Sequence, residues 1–272
     1  MTKKTTFQPD VHGFAFVNSW TFEDPENDQM VNAVLGGVNG AVESMLKPFA
    51  SLGGTAVASS LKGWVDNVVP SQYGLCGGMA FAALDYYKKG TQVPRGAGYD
   101  DVPRRDSRDG RILRDFLWRR QLESMSVNVP TLLVWMGMLH SIIPMVGGAG
   151  WLLEQTRQHW ATLKKHIDNG EPWPICLVGT STSPFHNHQV LAYGYSDPGD
   201  GTGTVYVYDM NCPDKENTIH LDFRGIELMA DESCASADRG ALRGFFCEVY
   251  MPASPPTVTH SEQQSEEKEA DG

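Results

Sequence analysis

The sequence has no Cys-x-x-Cys pair, no long unbroken apolar run and no excess of positive charge. The first absence removes the zinc-ribbon and thioredoxin-like motifs. Its five cysteines, Cys76, Cys176, Cys212, Cys234 and Cys247, are odd in number and widely spaced, which does not read as a disulfide framework. Cys176, Cys234 and Cys247 read as core or incidental thiols. The formal net charge of -11 argues against a general binder of nucleic-acid backbone. No apolar run follows the two lysines near Met1, so a secretory signal is not expected, and a cytoplasmic setting is the default, with signal-independent export left open. The most apolar segment, Thr131 to Leu153, is interrupted by His140, Ser141, Pro144 and glycines. A spanning helix needs about 20 predominantly apolar residues, so a buried helix and a tight loop are expected there, and membrane contact is the lesser reading.

What is present suits a folded body. The chain of 272 residues is 41% hydrophobic, enough to bury a core. Residues 1 to about 30 read as an irregular arm docked through Phe14, Phe16, Val17, Trp20 and Phe22. Two short helices are expected between about Asp28 and Val69, weakened by glycines and broken near Pro48 to Gly54. After a turn at Pro70 to Gly74, a helix is predicted from Cys76 to Lys89, with Lys88 and Lys89 in its last turn and Gly90 as the stop. A helix from about Asp109 to Met125 follows, then the apolar segment from Thr131, then a helix from about Trp151 to Asp168. The arginines 104, 105, 108, 111 and 114 alternate with Asp106, Asp109 and Asp115 and read as a solvated face. β-like stretches follow at Pro174–Thr180, His188–Tyr195, Thr204–Asp209, Asn217–Phe223 and Gly244–Met251. Helices first and strands second mean α+β, with an antiparallel sheet. The divisions are residues 1–69, an arm and helical extension; 70–252, the main domain with a helical insertion around 91–170; and 253–272, a disordered acidic tail.

One constellation carries chemistry. A thiol nucleophile works as the thiolate, which a helix N-terminus favours. Cys76 opens a helix among Gly74, Gly77 and Gly78, and its own N–H can point at a reacting carbonyl oxygen. Gln72, just upstream, is the candidate second donor. A base must come from elsewhere in the chain, and His188 begins a strand whose alternation sets Val190 and Ala192 on one face and Leu191 and Tyr193 on the other. Asp209, ending the next strand, can orient the imidazole, with Asn211 as runner-up.

The run Gln72-Tyr73-Gly74-Leu75-Cys76-Gly77-Gly78-Met79-Ala80-Phe81 resembles the nucleophile segment of the papain-like cysteine peptidases. His186-Asn187-His188-Gln189-Val190-Leu191-Ala192-Tyr193-Gly194-Tyr195 resembles that family's histidine strand. An Asp as third member is similar to the C39-like branch. The resemblance implies a papain-like fold, a nucleophile helix packed on an antiparallel sheet, and hydrolysis of a peptide or other amide bond through Cys76, His188, Asp209 and Gln72 without a cofactor. It implies a peptide or protein substrate. The same set also serves deamidases and transglutaminases, and an inactive partner- or membrane-binding module is the rival reading. His186-x-His188, even joined by Asp209 or Cys212, lacks a second pair of ligands, so no metal is expected.

Overall fold

The computed structural model describes residues 1–20, 26, 29, 30, 32, 33, 36, 74–95, 103, 106–140 and 148–258. Gln72, most of the segment expected to hold two helices, and residues 259–272 lie outside the described residues. The described chain is mixed helix and strand. Three long helices are α2 (Cys76–Lys89), α3 (Arg108–Leu139) and α4 (Ala149–Asp168). A short helix, α1 (Pro9–His12), lies in the arm. The strands are β1 (Thr2–Lys4), β2 (Trp173–Gly179), β3 (His188–Ser196), β4 (Thr202–Tyr208), β5 (Asn217–Asp222), β6 (Met229–Glu232) and β7 (Leu242–Cys247).

α2 ends where its stop signals place it. Gly90 takes the left-handed conformation at φ 67°, and its N–H closes on the Tyr86 and Tyr87 carbonyls. α3 starts on Ser107, whose hydroxyl accepts from the Gly110 N–H at 2.9 Å. It then runs unbroken through Pro130, where the sequence suggested two segments. The turn before Pro130 is pinned from outside. Asn128 donates to the Ser124 carbonyl at 3.1 Å and to the Val249 carbonyl at 3.2 Å, and accepts from the Val249 N–H at 2.8 Å. These tertiary bonds hold the helix across the hydrogen bond that Pro130 cannot make.

The sheet is antiparallel, in the order β6-β5-β4-β3-β2-β7. β6 and β7, at its two ends, approach each other, so the sheet curls. β2 pairs with the first half of β3, from His188 to Ala192. β1 takes over at Gly194, Tyr195 and Ser196. A strand from the arm therefore completes the sheet, which qualifies the helices-first, strands-second order read from the sequence.

Alternation along β3 separates two cores. Leu191 and Tyr193 face α2 and the arm, packing with Phe7, Phe14, Phe81 and Tyr208. Val190 and Ala192 face α4, packing with Trp160, Leu163 and Phe245. Phe14, Phe16 and Trp20 are buried as expected of a docked arm, whereas Val17 is half exposed.

Three expectations are corrected. Cys212 and Cys234 form a disulfide. They lie 22 residues apart, but β5 and β6 fold back beside β4 so that the residues following β4 and β6 emerge at the same end of the sheet, with a Cα–Cα distance of 6.2 Å. Arg114, assigned to a solvated face, is buried over the Trp20 ring. Residues 253–258, expected to begin a disordered tail, lie against α2: the Ala253 N–H donates to Asp85 at 2.9 Å and the Pro256 carbonyl accepts from Tyr86 at 2.8 Å. Among the described residues no helix is long and apolar enough to cross a membrane.

Candidate active site

Cys76 is the first residue of α2 and is half-buried. At that position its N–H has no carbonyl within the helix to bond. The next turn is fitted closely. A Cβ on Gly78 would run into the Leu117 carbonyl of α3, and one on Gly77 into the Gln189 carboxamide. Only glycine lets α2 begin this close to both neighbours. The Gly78 N–H donates to Gln121 at 2.8 Å, which ties the start of α2 to α3.

His188 opens β3 and is buried. Its Nε2 lies 2.8 Å from Asp209 Oδ1. Asp209 directly follows β4, and the β3–β4 pairing sets Leu191 opposite Tyr208, which brings the two side chains together. The same Asp209 oxygen accepts from the Asn211 N–H at 2.9 Å. Asn211 presents only its amide nitrogen, at 3.4 Å, to His188. Asp209 is therefore the ring's acceptor, and Asn211 holds Asp209.

The electrostatics follow from burial and pairing. Burial alone would push the His188 ring down. The Asp209 charge and hydrogen bond, joined by the Cys76 sulfur, outweigh it and hold the ring well above the ordinary histidine range. Burial would push Asp209 up, but the His188 charge and hydrogen bond and the Asn211 N–H bring it below its ordinary value. The pair thus stays ionised inside the protein. With Nε2 engaged by Asp209, Nδ1 is the nitrogen left for Cys76.

Cys76 and His188 share a cavity of about 330 Å³ with Asn18, Gln121, Gln189 and Asn211. Its far wall is apolar, formed by Met125, Val129 and Leu132 of α3 with Phe246 of β7. No family model, curated protein or solved structure matches this chain. The chemistry is therefore read from the geometry alone.

The structure brings Cys76, His188 and Asp209 together, while Gln72 lies outside the described residues. Asn18, Gln189 and Arg239 join the site without having been singled out by sequence. Gln189 sets its carboxamide oxygen 3.9 Å from the Cys76 sulfur. Arg239 is fully buried, paired with Glu232, and its charge acts on Asp209. Spacing in the chain gives no signal for Asn18 or Arg239, which come from the arm and from the segment between β6 and β7, while Gln189 directly follows His188 in β3. His186 is hydrogen-bonded to Ser181 at 2.8 Å. Among the described residues no group of three or more His, Cys, Asp or Glu side chains is arranged to hold a metal.

Proposed function

We propose that this chain is a cysteine hydrolase acting on a peptide or other amide bond, with a papain-like arrangement of Cys76, His188 and Asp209. The observation that carries the reading is His188, buried between the Asp209 carboxylate at 2.8 Å and the Cys76 sulfur, at the edge of an open cavity. Cys76 attacks the carbonyl carbon, and the carbonyl π electrons move to oxygen. The Cys76 N–H faces that oxyanion. Collapse breaks the C–N bond as His188 gives its proton to the departing amine, leaving a thioester. Water then attacks, His188 takes its proton, and the acid and the free thiolate–imidazolium pair are restored. Asp209 keeps the ring oriented and steadies its charge. Nothing in this sequence of steps requires a cofactor.

A peptide or protein substrate fits an open cavity with an apolar wall. The acidic balance of the chain weighs against a nucleic-acid partner. The Cys212–Cys234 bond is of a kind that persists in oxidising surroundings, which weighs against the cytoplasmic setting expected from sequence.

Competitive labelling tests the reading. Sub-stoichiometric iodoacetamide is expected to modify Cys76 ahead of Cys176 and Cys247, by peptide mass spectrometry, and His188→Ala to remove that preference. Equal labelling of the three thiols in the wild-type protein would end the hydrolase assignment.

A further inference from the structure

The cavity holds a polar side chain that the mechanism has not used. Asn18 belongs to the arm, 58 residues before Cys76 in the chain. Its amide orientation is fixed by a backbone donor: the Leu75 N–H donates to Asn18 Oδ1 at 2.7 Å. A backbone N–H cannot accept, so Nδ2 must point the other way. One of its protons goes to Asn211 Oδ1 at 3.2 Å. The other has no acceptor among the described residues, and Asn18 lines the same cavity as Cys76 and His188. The placement is built in from several sides. The Asn18 N–H donates to the Met210 carbonyl at 2.9 Å, and Phe14, Phe16 and Trp20 on either side are buried anchors. A Cβ on Gly74 would collide with the Asn18 carboxamide, so glycine at 74 leaves the room for it. Asn18 thus touches both segments that build the site, the turn before the nucleophile and the loop that carries Asp209.

Resting on the hydrolase reading, we propose that Asn18 Nδ2 is the second oxyanion donor, working with the Cys76 N–H, in the role the sequence suggested for Gln72. When the thiolate bonds to the carbonyl carbon, the electron pair released onto oxygen is met by a backbone N–H and by the unpaired amide proton of Asn18. When the tetrahedral species collapses, that pair re-forms the carbonyl and the leaving group departs. A donor held in place before charge develops lowers the barrier without reorganising. The arm is then part of the catalytic machinery and not only a cover for the core.

The test compares two reactions of the same sulfur. Acetylation by p-nitrophenyl acetate passes through an oxyanion, whereas alkylation by iodoacetamide does not. Both are read at Cys76 by peptide mass spectrometry, as limiting rates on the alkaline plateau, for the full chain and for Asn18→Ala, Asn18→Asp and Gln72→Ala. Asn18→Asp keeps the acceptor for the Leu75 N–H and loses the donor. The expected result is acetylation slowed on the order of 10²-fold in both Asn18 variants, alkylation unchanged, and Gln72→Ala close to wild type. Wild-type acetylation in Asn18→Asp would reduce Asn18 to an acceptor that positions Leu75 and overturn the proposal. An equal loss of both rates, or a loss confined to Gln72→Ala, would overturn it as well. Failure of the hydrolase reading looks different: wild-type Cys76 would then alkylate no faster than Cys176 or Cys247.

Discussion

Asp209 meets His188 through Nε2, at 2.8 Å, which leaves Nδ1 as the ring nitrogen for Cys76. That relationship makes the carboxylate the group that sets both the tautomer and the charge of the ring. Its removal is expected to act on His188 before it acts on anything else. In the wild-type protein the ring should titrate well above the ordinary value of about 6.5. Asp209→Asn keeps the size and loses the charge, so the midpoint should move down. The sign is fixed by burial, which opposes the imidazolium once the carboxylate is gone. NMR titration of the His188 ring checks this without a substrate. A midpoint that Asp209→Asn leaves in place would remove Asp209 from the site. Asn211→Ala should shift the midpoint less, since Asn211 reaches the ring only through an amide nitrogen and steadies Asp209 through its backbone N–H.

The disulfide gives a second expectation. Cys212 lies three residues beyond Asp209, so the bond ties the Asp209 loop to the segment after β6. Closing a loop of this length is worth about 3 kcal/mol through the unfolded chain. Cys212→Ser with Cys234→Ser should lower the urea midpoint accordingly. Labelling denatured, unreduced protein should modify three thiols, those of Cys76, Cys176 and Cys247. Five modified thiols would mean that the bond is not formed.

A third concerns Arg120 and Asp85, a pair buried between α2 and α3. Arg120 Nε lies 2.8 Å from Asp85 Oδ2, while Asp85 Oδ1 accepts from Tyr250 at 2.6 Å and from the Ala253 N–H at 2.9 Å. Removing Asp85 takes the buried carboxylate from the Arg120 guanidinium and leaves it Glu123 and the Met251 carbonyl, and a fully stranded buried charge would cost about 3–5 kcal/mol. Asp85→Ala should lose stability on that scale in chemical denaturation. It should also release residues 253–258, seen as faster amide exchange at Ala253. A loss near the level of an exposed surface pair would show that Glu123 holds the guanidinium without Asp85.

The parts of this architecture that are local in the chain were legible in the sequence. α2 could be bounded because its apolar interior, its two terminal lysines and Gly90 all lie within fifteen residues. β3 could be read from alternation, and the two faces assigned to it are the two that pack against α2 and α4. Cys76, His188 and Asp209 were legible because each sits at the end of such an element. What the sequence concealed depends on pairing between distant segments. β1 and β6 are three and four residues long, too short to show a period. Cys212 and Cys234 look unrelated until β5 and β6 are folded back. Asn18 and Gln189 look like ordinary polar residues until the arm docks and β3 meets α2. The helix expected to end near Met125 runs on through Pro130 because the bonds from Asn128 to Val249 that hold it there span 121 residues.

Glu248 provides the last prediction. It directly follows β7 and is buried, with Oε1 accepting from Gln189 Nε2 and Oε2 without a partner among the described residues. Burial pushes its carboxyl up to about 8, against a smaller lowering by the Gln189 hydrogen bond. In the unfolded chain the same group ionises in the ordinary range, about 4.3. Between those two values the folded protein holds a proton that the unfolded chain has released, so stability falls as pH rises through the window. At about 1.4 kcal/mol per pH unit the full swing is on the order of 4–5 kcal/mol. His188, with its raised value, adds a loss of the same sign above about 6.5, so the wild-type slope alone does not isolate Glu248. Glu248→Gln does, because it retains an acceptor oxygen for Gln189 and cannot ionise. Urea denaturation at about pH 5 and about pH 8 is expected to show a steeper decline for the wild type than for the variant, with Glu248→Gln the more stable of the two at the higher pH. Parallel slopes would mean that Glu248 is already ionised in the folded protein, and that a charged carboxylate, not a neutral one, backs the Gln189 side chain beside Cys76.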